Sequence, residues 1–215
     1  MRSEDQRTPE EVLIDKALLL ALFSLVSKES KLGDIMKAQK LSFLAAAPLF
    51  WQDKKAFSLE FYRYNKGPIS NGVYAAIDDF AKLDFIRRAD YTLSQPSARA
   101  NQFAEEFINR VLRDIPENSF CYKQITDVVE NYARYSGKEL KDKVYKLSFS
   151  TVESQKKRPV EDVPHLQHFT YVLDNHEAKQ MLSVPDDWMD TLALMLNPAN
   201  YEALKRAEES PFVEL

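Results

Sequence analysis

The sequence predicts a mainly α-helical fold with a small β element, an α+β domain. Three observations carry this. Apolar residues recur at helical spacing through most of the chain. Residues 59–64 break that spacing with a short aromatic run that enters a glycine-proline turn. The composition is that of a chain with a real core: 45% of its 215 residues are apolar and only four are glycine.

In chain order, Thr8-Pro9-Glu10-Glu11 is a helix start, with a capping threonine, proline in the first turn and acids at the positive pole. Val12, Leu13, Ala17, Leu18, Leu20, Leu22, Phe23 and Val26 follow, apolar nearly all round, which predicts a helix central to the core. Asp34 is placed to cap a second helix whose apolar positions are Ile35, Leu41, Leu44, Ala45, Pro48 and Leu49, and Pro48 is expected to kink or end it. Residues 59–64 read as a strand. Asn65-Lys66-Gly67-Pro68 is turn chemistry, because glycine admits positive φ and proline fixes the backbone after it. Ser70 or Asn71 caps a third helix with Val73, Tyr74, Ile77, Phe80 and Ala81 inside. Residues 87–93 form an extended arm, so that helix, strand, helix and arm together resemble a winged helix. Helices are further expected over residues 99–112, ended before Pro116, over 119–134, and from Ser136 to Leu147 with Gly137 as a cap or loop residue.

Residues 148–164 are rich in serine, charge and proline and read as a linker, with Lys156-Lys157-Arg158 a solvated basic cluster. The expected organisation is therefore a domain over 1–147, a linker over 148–164 and a helical extension over 165–215. The extension has an apolar patch at 169–173 and helices near 176–182, 186–196 and 198–208. Trp188, Leu192 and Met195 share one face of the second, and PFVEL forms the tail.

Two stretches resemble a known family. The first is Lys37-Ala38-Gln39-Lys40-Leu41-Ser42-Phe43-Leu44-Ala45. The second runs from Phe61 to Tyr64, through Lys66-Gly67-Pro68, to Val73-Tyr74. Their order and separation resemble the Panacea domain family, SocA-like antitoxins related to YwgA-like proteins. Lys66 stands where the family usually has tyrosine, and Ser42 where it has an apolar residue. The resemblance runs to about residue 147 and implies an antitoxin or adaptor, acting by direct contact with a protein partner that is often encoded alongside, as in phage defence. The candidate contacts are Lys37, Gln39, Lys40, Tyr62, Tyr64, Lys66, Gly67, Pro68 and Tyr74. The competing role for the same side chains is to fasten the helix to the strand through hydrogen bonds and buried stems.

With 29 basic and 33 acidic residues, the net charge of −4 argues against a general nucleic-acid binder. As a recognition helix, residues 71–83 would turn Asp78 and Asp79 toward phosphate, leaving only Arg87 and Arg88 on the arm as nucleic-acid contacts. DNA binding is the alternative function. His165-x-x-His168, with Asp162 or Asp174, lacks a third well-placed ligand, so neither metal nor other cofactor is expected. The single Cys121 reads as a buried structural residue and fits a reducing cytosol. No phosphate-binding loop, dinucleotide fingerprint or nucleophile elbow occurs, which favours a non-enzyme. The opening MRSEDQRTPEE is too polar for a secretory leader, and the longest apolar run is too short for a bilayer. A cytoplasmic location with no membrane contact is expected.

Overall fold

The computed structural model describes residues 1–209, with side chains to residue 206. A single 3-10 turn, Glu4–Gln6, precedes α1 (Pro9–Glu29), β1 (Gly33–Asp34), α2 (Ile35–Phe50) and β2 (Lys54–Lys55). Then come β3 (Phe61–Tyr64), β4 (Gly67–Ile69), α3 (Asn71–Lys82), β5 (Arg88–Ala89) and β6 (Thr92–Leu93). The third part holds α4 (Ala98–Phe107), a π-helical turn (Ile108–Arg113), α5 (Ser119–Tyr132) and α6 (Gly137–Lys146). The chain closes with β7 (Ser148–Phe149), β8 (Arg158–Pro159), β9 (His168–Thr170), β10 (Gln180–Met181), α7 (Asp186–Leu196) and α8 (Pro198–Glu209). The mainly α, α+β class is the one expected.

The Thr8 hydroxyl accepts from Glu11 N while the Glu11 carboxylate accepts from Thr8 N, a reciprocal cap that starts α1. From Ala17 to Phe23 no residue is more than 1% exposed, so α1 is enclosed on every side, chiefly by α4, α5 and α7. Asp34 caps α2 by accepting from Lys37 N at 2.7 Å. The helix does not end at Pro48 but runs on to Phe50. Proline leaves the Leu44 carbonyl without its helical donor, and Gln124 of α5 supplies one at 2.9 Å. Gly137 is not a terminating residue but the first of α6, behind a Ser136/Glu139 capping box. It packs so close to Asp34 that a Cβ there would run into the carboxylate.

β6 lies between β1 and β5, so α1, β1, α2, α3 and the β5–β6 hairpin follow winged-helix order, with β2 to β4 inserted between α2 and α3. The second sheet has the order β4-β3-β9, all antiparallel. Pro68 pairs with Arg63 on the edge strand, where a missing N–H costs no ladder bond.

The C-terminal third departs from expectation. Residues 148–164 are not a solvated linker: β7 pairs with β8, Val160 is fully buried, and Val163 and Thr151 are buried too. β9 supplies the third strand of the central sheet. Phe43 of α2 makes edge-on contacts with Phe61 at 5.5 Å, Phe149 at 4.7 Å and Phe169 at 5.1 Å, which join β3, β7 and β9 into one core. The helix expected near 176–182 is instead β10, parallel to β2, with Leu182 N donating to Lys55 O at 2.8 Å. Met181 points outward and Leu182 inward, so the apolar spacing there has the period of a strand. α7 and α8 form as expected, with Leu192 and Leu196 buried; the PFVEL tail lies outside the described residues. Among the described residues, no helix is long and apolar enough to cross a membrane.

Candidate functional site

The two recognisable stretches meet, but most of their polar residues face inward. The Gln39 side-chain amide donates to Ser70 O at 3.0 Å and accepts from Ser70 N at 2.9 Å, copying a strand pairing onto the N-cap of α3. Lys37 Nζ donates to Ser30 Oγ and to the carbonyls of Lys31 and Ala133, tying α2 to the ends of α1 and α5. Lys40 Nζ donates to Pro68 O at 2.8 Å and is 1% exposed. Burial pushes its amine down to about 7, and the positive charges of Arg63 and Lys141 push the same way. Gly67 has φ +95°, and Tyr145 fills the space where a Cβ would stand. Lys37, Gln39, Lys40, Gly67 and Pro68 are all buried, so as partner contacts they are corrected to internal fasteners. Ser42, the polar departure in the helix, is satisfied by the Ala38 carbonyl at 2.8 Å.

The remaining candidates are at the surface. Tyr64 and Lys66 are exposed, and Tyr62 and Tyr74 are half-buried. Strand alternation turns Phe61 and Arg63 one way and Tyr62 and Tyr64 the other. Arg63 lies over the Tyr145 ring and donates to Val160 O. On the outer face, Tyr62 and Tyr64 lie 6.4 Å apart, Tyr64 lies 5.0 Å from His165, Tyr62 lies 5.9 Å from His168, and His168 stacks on Tyr171 at 4.6 Å. The turn at residues 164–167 is sewn to β3 by reciprocal 2.8 Å bonds between Leu166 N and Arg63 O and between Arg63 N and Gln167 O. This holds Leu166 at φ +66°, uncommon for a bulky L residue, with 56% of its surface exposed. The result is an aromatic and aliphatic surface fixed by a rigid sheet.

Beside this face, His168 sits between two carboxylates: Nε2 is 2.8 Å from Glu60 and Nδ1 is 2.9 Å from Glu153. Glu60 also accepts from Glu4 N. Glu4 accepts in turn from the Ser70 hydroxyl and Gly72 N, both at 2.9 Å, an anion at the N-terminus of α3. Burial raises the Glu4 carboxyl above its ordinary value despite the nearby Arg7 charge. Arg7 is held 2.9 Å from Asp15. Burial raises the Asp15 carboxyl to about 7, although Arg7 and Ser58 N oppose the shift. The sequence reading missed Glu4, Glu60, Glu153, Leu166 and Tyr171, and weighed His165 only as a metal ligand. The alternating Glu60 in an aromatic strand was the one local signal.

His165 and His168 have separate partners and do not share a ligand position. Among the described residues, the three-residue group with metal-ligand spacing is Asp174, His176 and Glu177. Two of its members already hold the Met1 ammonium, at 2.8 and 2.9 Å. Cys121 is buried, which pushes its thiol well above the ordinary value. Arg88 pairs with Asp78, while Asp79 pairs with Lys16 at 2.7 Å and Lys82 at 2.9 Å. Burial alone would raise the Asp79 carboxyl, but those two cations hold it below its usual range.

No protein-family model, curated protein or solved structure matches this chain.

Proposed function

We propose that this chain is a non-catalytic protein-binding module of the antitoxin or phage-defence adaptor type. It neutralises a partner encoded nearby by direct contact in the cytosol. The observation that carries the reading is the outer face of β3 and the 164–167 turn. Tyr62, Tyr64, His165 and Leu166 gather there on a framework whose own hydrogen bonds are satisfied. Exposed aromatics on a rigid support lose little entropy on binding and supply the buried anchors of interfaces. The resemblance of the Lys37–Ala45 and Phe61–Tyr74 stretches to Panacea domains supports the antitoxin class. Co-expression with the product of the adjacent gene tests it: rescue of growth and a co-purifying complex are expected, and neither should survive a Tyr62→Ala/Tyr64→Ala double substitution. A rescue that ignores the double substitution removes this face as the contact. No toxicity and no complex removes the antitoxin reading.

The winged-helix order of α1 to β6 favours a second reading, DNA binding through α3 and the β5–β6 hairpin. The charges of α3 weigh against it, because its outward face offers Asp78 beside Lys82, and Arg88 is already paired.

A further inference from the structure

Resting on the protein-binding reading, we propose that the outer face of β3 and the cavity beside it dock a partner segment of defined chemistry: an arginine flanked by apolar residues. The cavity measures about 630 Å³ and opens between the N-terminal turn, β3 and the start of α3. Glu4, Asp5 and Glu60 line it with Arg7, and Tyr62 and Leu166 form its rim toward the aromatic face.

The charge balance selects the occupant. Arg7 is the one arginine or lysine lining the cavity among the described residues, and its guanidinium is held by the buried Asp15 at 2.9 Å. Against Arg7 the lining sets the carboxyl groups of Glu4, Asp5 and Glu60, so the cavity offers no net positive charge to an anionic visitor. His168 is bracketed by Glu60 and Glu153 and adds none either. Asp5 is exposed, and among the described residues its carboxylate has no ion pair or hydrogen bond. A cation entering here meets a lining that includes the Asp5 and Glu60 carboxylates and Tyr62, a carboxylate and aromatic setting that suits guanidinium.

The rim carries the second half of the specificity. Leu166 is held in a left-handed conformation by two backbone hydrogen bonds while more than half its surface faces solvent. Strain of this kind persists only where the surroundings over-determine it, and here it leaves an exposed aliphatic side chain directly after His165, on the turn that is bonded to β3. An apolar residue flanking the arginine covers Leu166 and Tyr64 while the arginine reaches the acids. The charges fix register and the apolar contacts hold the complex.

The test is an NMR titration of the intact chain with an acetylated heptapeptide carrying one arginine between leucines, and with its glutamate counterpart. The arginine peptide is expected to shift the amides of Asp5, Tyr62, Asn71 and Leu166 with millimolar affinity or better, the glutamate peptide not at all. Asp5→Lys should weaken the arginine peptide at least tenfold. Leu166→Gly, which relieves the positive φ and so preserves folding, should weaken it by a similar factor. Equal response to both peptides, no response, or indifference to both substitutions overturns the proposal. A chain that recognises the arginine peptide but neutralises no neighbouring toxin loses the antitoxin reading and keeps this one. Rescue without peptide recognition does the reverse.

Discussion

The inner surface of α2 and the outer surface of β3 are near neighbours built to opposite rules. On α2, Lys37, Gln39 and Lys40 are long polar side chains almost wholly removed from water, each ending on backbone groups of a neighbouring segment. On β3, Tyr62 and Tyr64 stay at the surface and lean on His168 of β9 and His165 of the turn before it, more than a hundred positions later. A dense local motif of mixed polar and apolar residues here marks how the fold is locked. The surface suited to a partner is assembled from distant segments that form no motif.

The largest effect should come from breaking the lock. Gln39→Ala leaves Ser70 N buried without a partner and Ser70 O with only the long 3.4 Å bond from Tyr74 N, and an orphaned group costs about 1–3 kcal/mol. A loss of about 3 kcal/mol by urea denaturation is expected; a loss below about 1 kcal/mol would show that the motif helix is not the lock described.

Lys40 sharpens the same point through pH. Its amine falls from 10.5 to about 7 on folding, so between those values the unfolded chain holds a proton that the folded chain has released. Stability therefore rises with pH across that window, with a slope of up to ~1.4 kcal/mol per unit, and below it the full desolvation penalty applies. Lys40→Met should flatten the rise. An unchanged slope in the variant would mean that other groups produce it.

Gly67→Ala comes next. It forces a positive φ on an L residue and sets a methyl group 2.8 Å from Tyr145. About 2 kcal/mol of stability should be lost, read as a lower melting temperature.

Much of this lock was legible in the sequence, and little of the proposed binding face was. Helix starts at Thr8, Asp34, Ser70 and Ser136 follow from capping chemistry within four residues, and each forms. The strand and the Gly67-Pro68 turn were readable for the same local reason. Gln124 rescuing the carbonyl behind Pro48 was not, since the donor and acceptor are 80 positions apart. Nor was the fate of residues 148–182. Short strands of two or three residues carry too little periodicity to declare themselves; β9 and β10 find their partners in the distant β3 and β2, and β7 and β8 find theirs in each other. The polar character of 148–164 suggested a linker because a few buried residues, Val160 and Val163 among them, suffice to pin a segment most of whose other side chains are at least partly in water. His168 looked like half of a metal motif because Glu60 and Glu153 become its neighbours only after β9 pairs with β3.

The surface side of the comparison predicts smaller effects on folding and larger ones on binding. Tyr64 is 41% exposed, so Tyr64→Ala should change stability by less than about 1 kcal/mol. Affinity for the partner should fall at least tenfold, about 1.4 kcal/mol, as for a moderate interface anchor. The reverse pattern, a strong folding defect with binding intact in the folded fraction, would make β3 another part of the lock.

The smallest effect is expected at Arg88, and it bears on the competing function. Its ion pair with Asp78 is at the surface, where such pairs contribute ~0–1 kcal/mol, so Arg88→Ala should barely move the urea midpoint. In the DNA-binding reading the same residue has to contact phosphate, which requires it to leave Asp78 and expose that carboxylate to the same strand. Asp79 gives no such difficulty, because the buried Lys16 and the surface Lys82 already neutralise it. The net outward charge of α3 is then close to zero with the hairpin in place. Gel-shift titration against the upstream DNA should show no salt-sensitive complex, in the wild type or in Arg87→Ala/Arg88→Ala. A complex that forms at low salt and weakens in the double variant would transfer the binding role from the β3 face to α3 and the hairpin. The winged-helix order of the first 93 residues would then be the functional part of the fold.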